Sequence, residues 1–432
     1  MEETTLSIVR GLFGLLVLLA IAWAISKDKK NIPWKTVLLG LLLQSSIALG
    51  LLYWEGLAGL FEILGAFFVK ILEYTGAGTE MLFGELGQAK GRGFIFVFQA
   101  LPVIVFFSAL TSLLYYFGVL QAIVRLLAWG LTKTLNISGA ESLSVAGNIF
   151  LGQSEAPLLI KTYLKNMSQS ELFLVMLGGM ATVAGSVMGA YIGFLGGEDP
   201  TAQLMFAKAL LAASVMAAPG AVVIAKIIYP PQQPIQTIIE IPKQNIGDNL
   251  LEAITNGTQE GVRMAVNVGA MLLVFIALIA MLSGLLEVVG EIGNINLWIR
   301  ENTPYAHLSL EFLLGYIFAP LMWIIGVPEP DTALLGQLLG IKLVASEFVA
   351  YAQLADLKEM AVGGLQDPKS ILMASFMLCG FANFASIGIQ IGGIGILAPE
   401  RRKDLIRLGP LAMVGGTLVS LISATIIGML TL

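Results

Sequence analysis

The chain has 432 residues, 57% of them hydrophobic and only 12% charged, with a formal net charge of −5. A soluble protein of this length carries about twice that charged fraction, and no long basic tract points to a nucleic-acid partner. One cysteine, Cys379, and one histidine, His307, exclude an intramolecular disulfide, a cysteine metal cage and a His-rich metal site.

Many apolar runs approach the ~20 residues needed to span a bilayer. The alternating ~10-residue segments of a membrane β-barrel are absent. The fold class is therefore an all-α polytopic membrane protein. The start, Met1-Glu2-Glu3, lacks a basic n-region, so the apolar run from Ser7 to Ile25 reads as a first membrane helix rather than a cleaved signal. Eight transmembrane helices are predicted, at 6–25, 35–54, 94–117, 171–196, 202–228, 262–287, 369–397 and 408–431. Between them lie an interfacial helix at 57–74, a Gly-rich polar loop from Gly76 to Gly93, and an amphipathic stretch from Leu120 to Leu135. Two re-entrant helical hairpins are predicted at 139–165 and 330–357, and 308–327 reads as a tilted or interfacial helix after a polar patch at 290–307. The region 229–261, with Pro230, Pro231, Pro234 and Pro242, reads as a polar cytoplasmic connector, extended over 229–249. The chain then divides into scaffold helices at 1–117 and 262–329 and two transport repeats at 118–228 and 330–432.

The organising stretch is Asn148 to Leu164, where Gly152-Gln153-Ser154-Glu155, then Ala156-Pro157, interrupt an apolar run. A carboxylate there is costly and usually marks a substrate or ion site, and broken backbone at membrane depth must line a cavity or be covered by protein. Ser346-Glu347 repeats the signal, and each Ser-Glu pair precedes an apolar segment with a small, polar centre. Aligned without gaps, those segments match at 176/377, 177/378, 179/380, 181/382 and 184/385, which indicates an internal repeat. Basic residues cluster at 27–35 and 401–407 and recur at Arg125, Lys133, Lys161, Lys165, Lys226, Lys243 and Arg263. The positive-inside rule places these on the cytoplasmic side, with both termini outside. The repeats are then inverted, as in carriers that alternate access around a midplane site.

The polar residues each admit a structural and a functional reading. Glu155 and Glu347 could cap half-helix N-termini or accept hydrogen bonds from a hydroxylated solute, and the two readings are compatible. Ser154 and Ser386 could be interhelical glue. Gln153 and Asn383 are bulkier, sit where helices unwind, and suit an uncharged polar ligand. Asn148 and Thr182, each near a break, could offer oxygens to a hard monovalent cation, with unwound carbonyls completing the site. Phe381 could stack on a ring or simply pack. Lys342 is the one cation near this set, which lacks the basic cluster a phosphate needs.

G-Q-S-E-A-P at 152–157, S-E-F-V-A-Y at 346–351 and C-G-F-A-N-F-A-S at 379–386 resemble the signature segments of the concentrative nucleoside transporter family. The resemblance covers nearly the whole chain and is to the shorter bacterial type. It implies a homotrimer in the cell inner membrane that imports nucleosides of the uridine, cytidine and adenosine kind, with no cofactor beyond a coupling ion. It implies a substrate site of Gln153, Ser154, Glu155 and Val187 in the first half and Glu347, Phe381, Asn383 and Ser386 in the second. It also implies a sodium site at Asn148, Leu151, Thr182 and Val183, with a proton as the alternative ion. Two departures stand out: many members have Thr at Ser154 and Asn at Ser346. The competing classes are an intramembrane aspartyl protease, which needs paired Asp where this chain has Glu, and an ion channel.

Overall fold

A bilayer offers the backbone no water, so apolar runs must satisfy their N–H and C=O groups within helices. The computed structural model describes residues 2–87, 95–197, 199–233, 248–361 and 363–431, and among them helices are the regular elements and no strand occurs. Seven stretches there are long and apolar enough to cross a membrane: Ser7–Ala24, Trp34–Tyr53, Phe96–Tyr116, Gln169–Gly196, Pro200–Ile228, Leu250–Gly290 and Pro399–Leu430. The predicted span at 369–397 is instead cut into two shorter helices.

The chain opens with α1 (Glu2–Ala24), α2 (Trp34–Tyr53) and α3 (Glu55–Phe83). Helix α3 runs well beyond the predicted 57–74 and takes in the first part of the predicted Gly-rich loop. Its buried Thr75 and Thr79 donate their hydroxyls to the carbonyls of Ile71 and Thr75, at 2.9 and 2.8 Å, so these polar side chains are satisfied inside the helix. Gly84–Gly87 of that loop form a 3₁₀ turn, and its positions 88–93 lie outside the described residues. Next come α4 (Phe96–Gln99), α5 (Leu101–Tyr116) and the predicted amphipathic helix α6 (Val119–Leu135).

The first hairpin is α7 (Gly139–Gly147), a loop, a 3₁₀ turn at Ala156–Ile160 and the single turn α8 (Lys161–Leu164). It leads into α9 (Gln169–Ala181), α10 (Gly185–Gly196) and α11 (Pro200–Ile228). Capping boxes start α7 and α9: Ser138 pairs with Glu141, and Ser168 with Glu171. Helix α12 (Leu250–Gly290) begins inside the predicted connector. Asn249 caps it by accepting the Glu252 N–H at 3.0 Å. Its early residues are helical because Gly257 and Gly261 bring it against α5: a Cβ at those positions would sit 2.6 Å from Ser112 Cβ and 2.7 Å from Val105 Cα. Connector positions 234–247 lie outside the described residues.

Helices α13 (Ile295–Asn302) and α14 (Leu310–Ile324) follow, with α14 packed on the second hairpin. That hairpin is α15 (Thr332–Val344) and α16 (Glu347–Glu359), and it leads into α17 (Pro368–Leu378), α18 (Phe384–Leu397) and α19 (Arg402–Leu430). Hairpin, broken helix and long helix thus recur in the same order in both halves.

Burial separates two layers. The α9–α10 stretch and α11 are each 94% buried, whereas α1 is 22% and α12 17% buried over their apolar windows. Apolar residues that face outward are expected where lipid or another subunit replaces water. Inside, Lys226 of α11 makes a buried ion pair with Glu141 of α7 and donates to Ser170 Oγ of α9 at 3.3 Å. Lys226, placed from sequence at the cytoplasmic end of the predicted 202–228 span, is therefore a structural tie between three helices.

The two helix breaks cross backbone to backbone. The Phe381 N–H donates to the Thr182 carbonyl at 3.3 Å, and Gly380 sits at φ +127, where an added Cβ would lie 2.7 Å from the Ala181 carbonyl oxygen. Such a conformation costs a non-glycine residue roughly 1–3 kcal/mol, and the clash adds to it. Gly380→Ala should therefore lower the apparent unfolding temperature in detergent at fixed scan rate. Gly388→Ala, which meets open space on α18, should leave it unchanged or raise it. Equal behaviour of the two variants would mean the crossing does not constrain the fold.

Candidate functional site

Unwinding a helix in the membrane exposes donors and acceptors that must find new partners. Here they find them in one chain of hydrogen bonds that joins the repeats. Glu347, on the first turn of α16, is buried; its Oε1 accepts from Tyr191 Oη at 3.0 Å and its Oε2 from Asn383 Nδ2 at 2.8 Å. Asn383 caps α18, its Oδ1 accepting the Ser386 N–H at 2.8 Å. Ser386 Oγ accepts from Gln153 Nε2 at 2.9 Å, so the first hairpin loop reaches the second broken helix. Gln153 Oε1 in turn accepts from Gln390 Nε2 at 3.1 Å, and the same amide nitrogen donates to the Met176 carbonyl at 2.9 Å. A carboxylate flanked by neutral amides and hydroxyls can accept and donate to an uncharged hydroxylated molecule, and bonds to the ionised group are the strong ones.

The structure thus brings Gln153, Glu347, Asn383 and Ser386 together. Ser154 is exposed and Glu155 half-buried on the other side of the loop. Glu155 lines a cavity of about 210 Å³ between the hairpin and helices α5 and α12, with Ser108, Ser112, Ser186, Asn256 and Glu260 also on its wall. Val187 is buried on the first turn of α10, and Phe381 is buried at the second break. Ser346 caps α16 by accepting the Val349 N–H at 3.4 Å, which gives that departure a local structural role.

The proposed cation residues form a second cluster. Asn148, at the C-terminal end of α7, is buried with neither its Oδ1 nor its Nδ2 hydrogen-bonded. An orphaned buried amide of this kind requires an explanation. Its Nδ2 would lie 3.4 Å from a Cβ on Gly178, and the carbonyl of Gly178 accepts the Thr182 hydroxyl at 2.9 Å. Asn148 and Thr182 therefore both border Gly178. Leu151 and Val183 are buried nearby in sequence, in the loop and the break that the Gly185 N–H to Phe150 carbonyl bond joins at 2.9 Å.

Sequence reasoning missed Tyr191 and Gln390. Tyr191 is fully buried, its ring 4.3 Å from that of Tyr351 and 4.9 Å from Phe348. The signals were present: a tyrosine inside an apolar span needs a partner for its hydroxyl. Gln390 lies one helical turn after Ser386, on the same face.

Three family models match: "Na+ dependent nucleoside transporter N-terminus" at 13–86, "Nucleoside recognition" at 97–198, and "Na+ dependent nucleoside transporter C-terminus" at 209–428. An uncharacterized transporter of Haemophilus influenzae is 41% identical, with 98% of each chain covered. Mouse sodium/nucleoside cotransporter 1 is 38% identical over 96% of this chain, which spans 63% of the mouse protein's length. Among solved structures, CNTnw in an inward-facing substrate-bound state superposes with a TM-score of 0.88 at 38% identity, covering 98% of both chains. A substituted CNTnw in an outward-facing state gives 0.90 at 37% identity, covering 99% of both. These relatives are transporters rather than enzymes. The all-α fold, the two broken-helix repeats and the matched family models together make this chain a member of the concentrative nucleoside transporter family.

Proposed function

We propose that the protein imports nucleosides by symport with sodium, through alternating access of a transport unit that moves past a scaffold. The observation that carries the sodium reading is the buried, unpartnered Asn148 beside Gly178 and Thr182. Neither side chain titrates at ordinary pH, so the cluster offers neutral oxygens to a cation and no proton carrier. The names of the mammalian relatives support the same ion. The nucleoside, of the uridine, cytidine or adenosine kind, would place its ribose hydroxyls on Glu347, Asn383 and Ser386 and its base by Gln153, Ser154, Glu155, Val187 and Phe381. The Gln153–Ser386 and Gln390–Gln153 bonds would then exchange for bonds to the ligand.

The layering supports the division of labour. The buried hairpins and broken helices would move as one body, and the outer α1–α3, α5 and α12 would hold the scaffold and the contacts of a homotrimer, which native mass spectrometry reads. Both termini would lie outside the cytoplasm in an inner or plasma membrane, with the hairpins inverted and re-entrant. Two conformations related by such a movement shift population only if ligand binds them differently. The site between the repeats is where that difference would arise.

Glu347 carries the largest share of recognition. Charge-assisted hydrogen bonds are worth roughly 1.5–3 kcal/mol each, so Glu347→Gln should weaken uridine binding by about tenfold or more, and 2′,3′-dideoxyuridine should bind the parent poorly. Parent-like uridine affinity in a folded Glu347→Gln protein would remove this carboxylate from the site.

Sodium and uridine must raise each other's affinity by the same factor. Asn148→Ala and Thr182→Ala should flatten the sodium dependence of uridine binding before they abolish binding at saturating uridine. If both variants keep the parent's sodium titration, the ion binds elsewhere.

A further inference from the structure

Lys342 has no role in the site as described, yet it is fully buried in the apolar interior. It sits in the last turn of α15, and its Nζ donates to the Met377 carbonyl at 2.8 Å and to Ser420 Oγ at 3.1 Å. The second break creates the need for it. In an unbroken helix the Met377 carbonyl would accept from the Phe381 N–H, but that N–H is turned to Thr182. The C-terminal end of α17 is thus left with a freed carbonyl and the negative end of a helix dipole. An ammonium meets both, and it stands in the last turn of α15, five residues before Glu347 in the first turn of α16.

The first repeat handles the matched position differently. Met176 aligns with Met377, and its carbonyl is served by the neutral amide of Gln390 at 2.9 Å. Among the described residues no side-chain cation is tethered there. Instead Asn148 stands unpartnered close by. One repeat holds its own cation, and the other leaves polar atoms open beside the corresponding helix end.

We infer that Lys342 is a resident cation. Its tethered ammonium takes in the second repeat the place that a free monovalent cation takes in the first, so it balances Glu347 and closes that repeat to a second ion. This rests on the sodium reading for the count of coupled ions, but not for the role of the ammonium itself.

The test is uridine binding by purified protein, titrated with sodium and, separately, with methylammonium in sodium-free buffer. Lys342→Ala should bind uridine about tenfold more weakly. Methylammonium should restore most of that affinity while leaving the parent's unchanged, and the sodium dependence of the variant should be steeper than the parent's as an extra ion enters. Lys342→Arg, which keeps the charge, should stay within about threefold of the parent. Parent-like affinity in Lys342→Ala would overturn the inference, as would a loss that no cation restores. If Lys342→Ala fails to give a cooperative melting transition, Lys342→Gln and Lys342→Arg decide: equal affinity of the two would mean the charge is irrelevant. A parent indifferent to sodium would contradict the coupling ion alone, because the methylammonium arm contains no sodium.

Discussion

Everything in the centre of this protein depends on two interrupted helices crossing at their breaks. The contact is made by main chain: the Phe381 N–H bonds to the Thr182 carbonyl, and Gly380 lies against Ala181 in a backbone conformation that side chains disfavour. Breaking a helix in lipid is tolerable only if each freed group is met. Here each break supplies part of what the other lacks, and side chains from the hairpins supply the rest. That is why the polar residues converge, and why polar chemistry can exist at that depth.

Two separate electrostatic solutions follow from the crossing. Glu347 is met by a phenol and an amide, and the C-terminal end of α17 by Lys342. At the first break the Thr182 hydroxyl folds back on Gly178, while Asn148 is left without a partner. The asymmetry between the repeats, one balanced by a covalently held charge and one left open, is the physical basis for proposing a single coupled ion. The buried Lys226–Glu141 pair serves another purpose, since it anchors α7, α9 and α11 well away in sequence from the breaks. Removing one partner of such a pair is costly because it strands a buried charge.

Much of this was legible in the sequence. Apolar run length marked the membrane helices, isolated carboxylates with Gly and Pro marked the hairpin tips, and small, polar centres marked the interrupted helices that follow, because these signals arise from local chemistry. The matched Met-Leu and Gly-Ala positions gave the repeat. What was not legible depends on tertiary contact. The start of α12 reads as connector because its glycines and polar residues look like loop until α5 closes on Gly257 and Gly261. Helix α3 continues through Gly76 and Gly78 because threonines there bond within the helix. Tyr191 and Gln390 read as lone polar residues in apolar helices, and only the fold sets them against Glu347 and Gln153. Lys226 counted only as a positive charge on the cytoplasmic side, because nothing in the sequence pairs it with Glu141, 85 residues away.

The most direct test of the central claim is accumulation of labelled uridine in proteoliposomes with sodium and proton gradients imposed separately. The account predicts accumulation above equilibrium with an inward sodium gradient at matched pH, and none with a pH gradient in sodium-free buffer. Full accumulation driven by the pH gradient without sodium would contradict it.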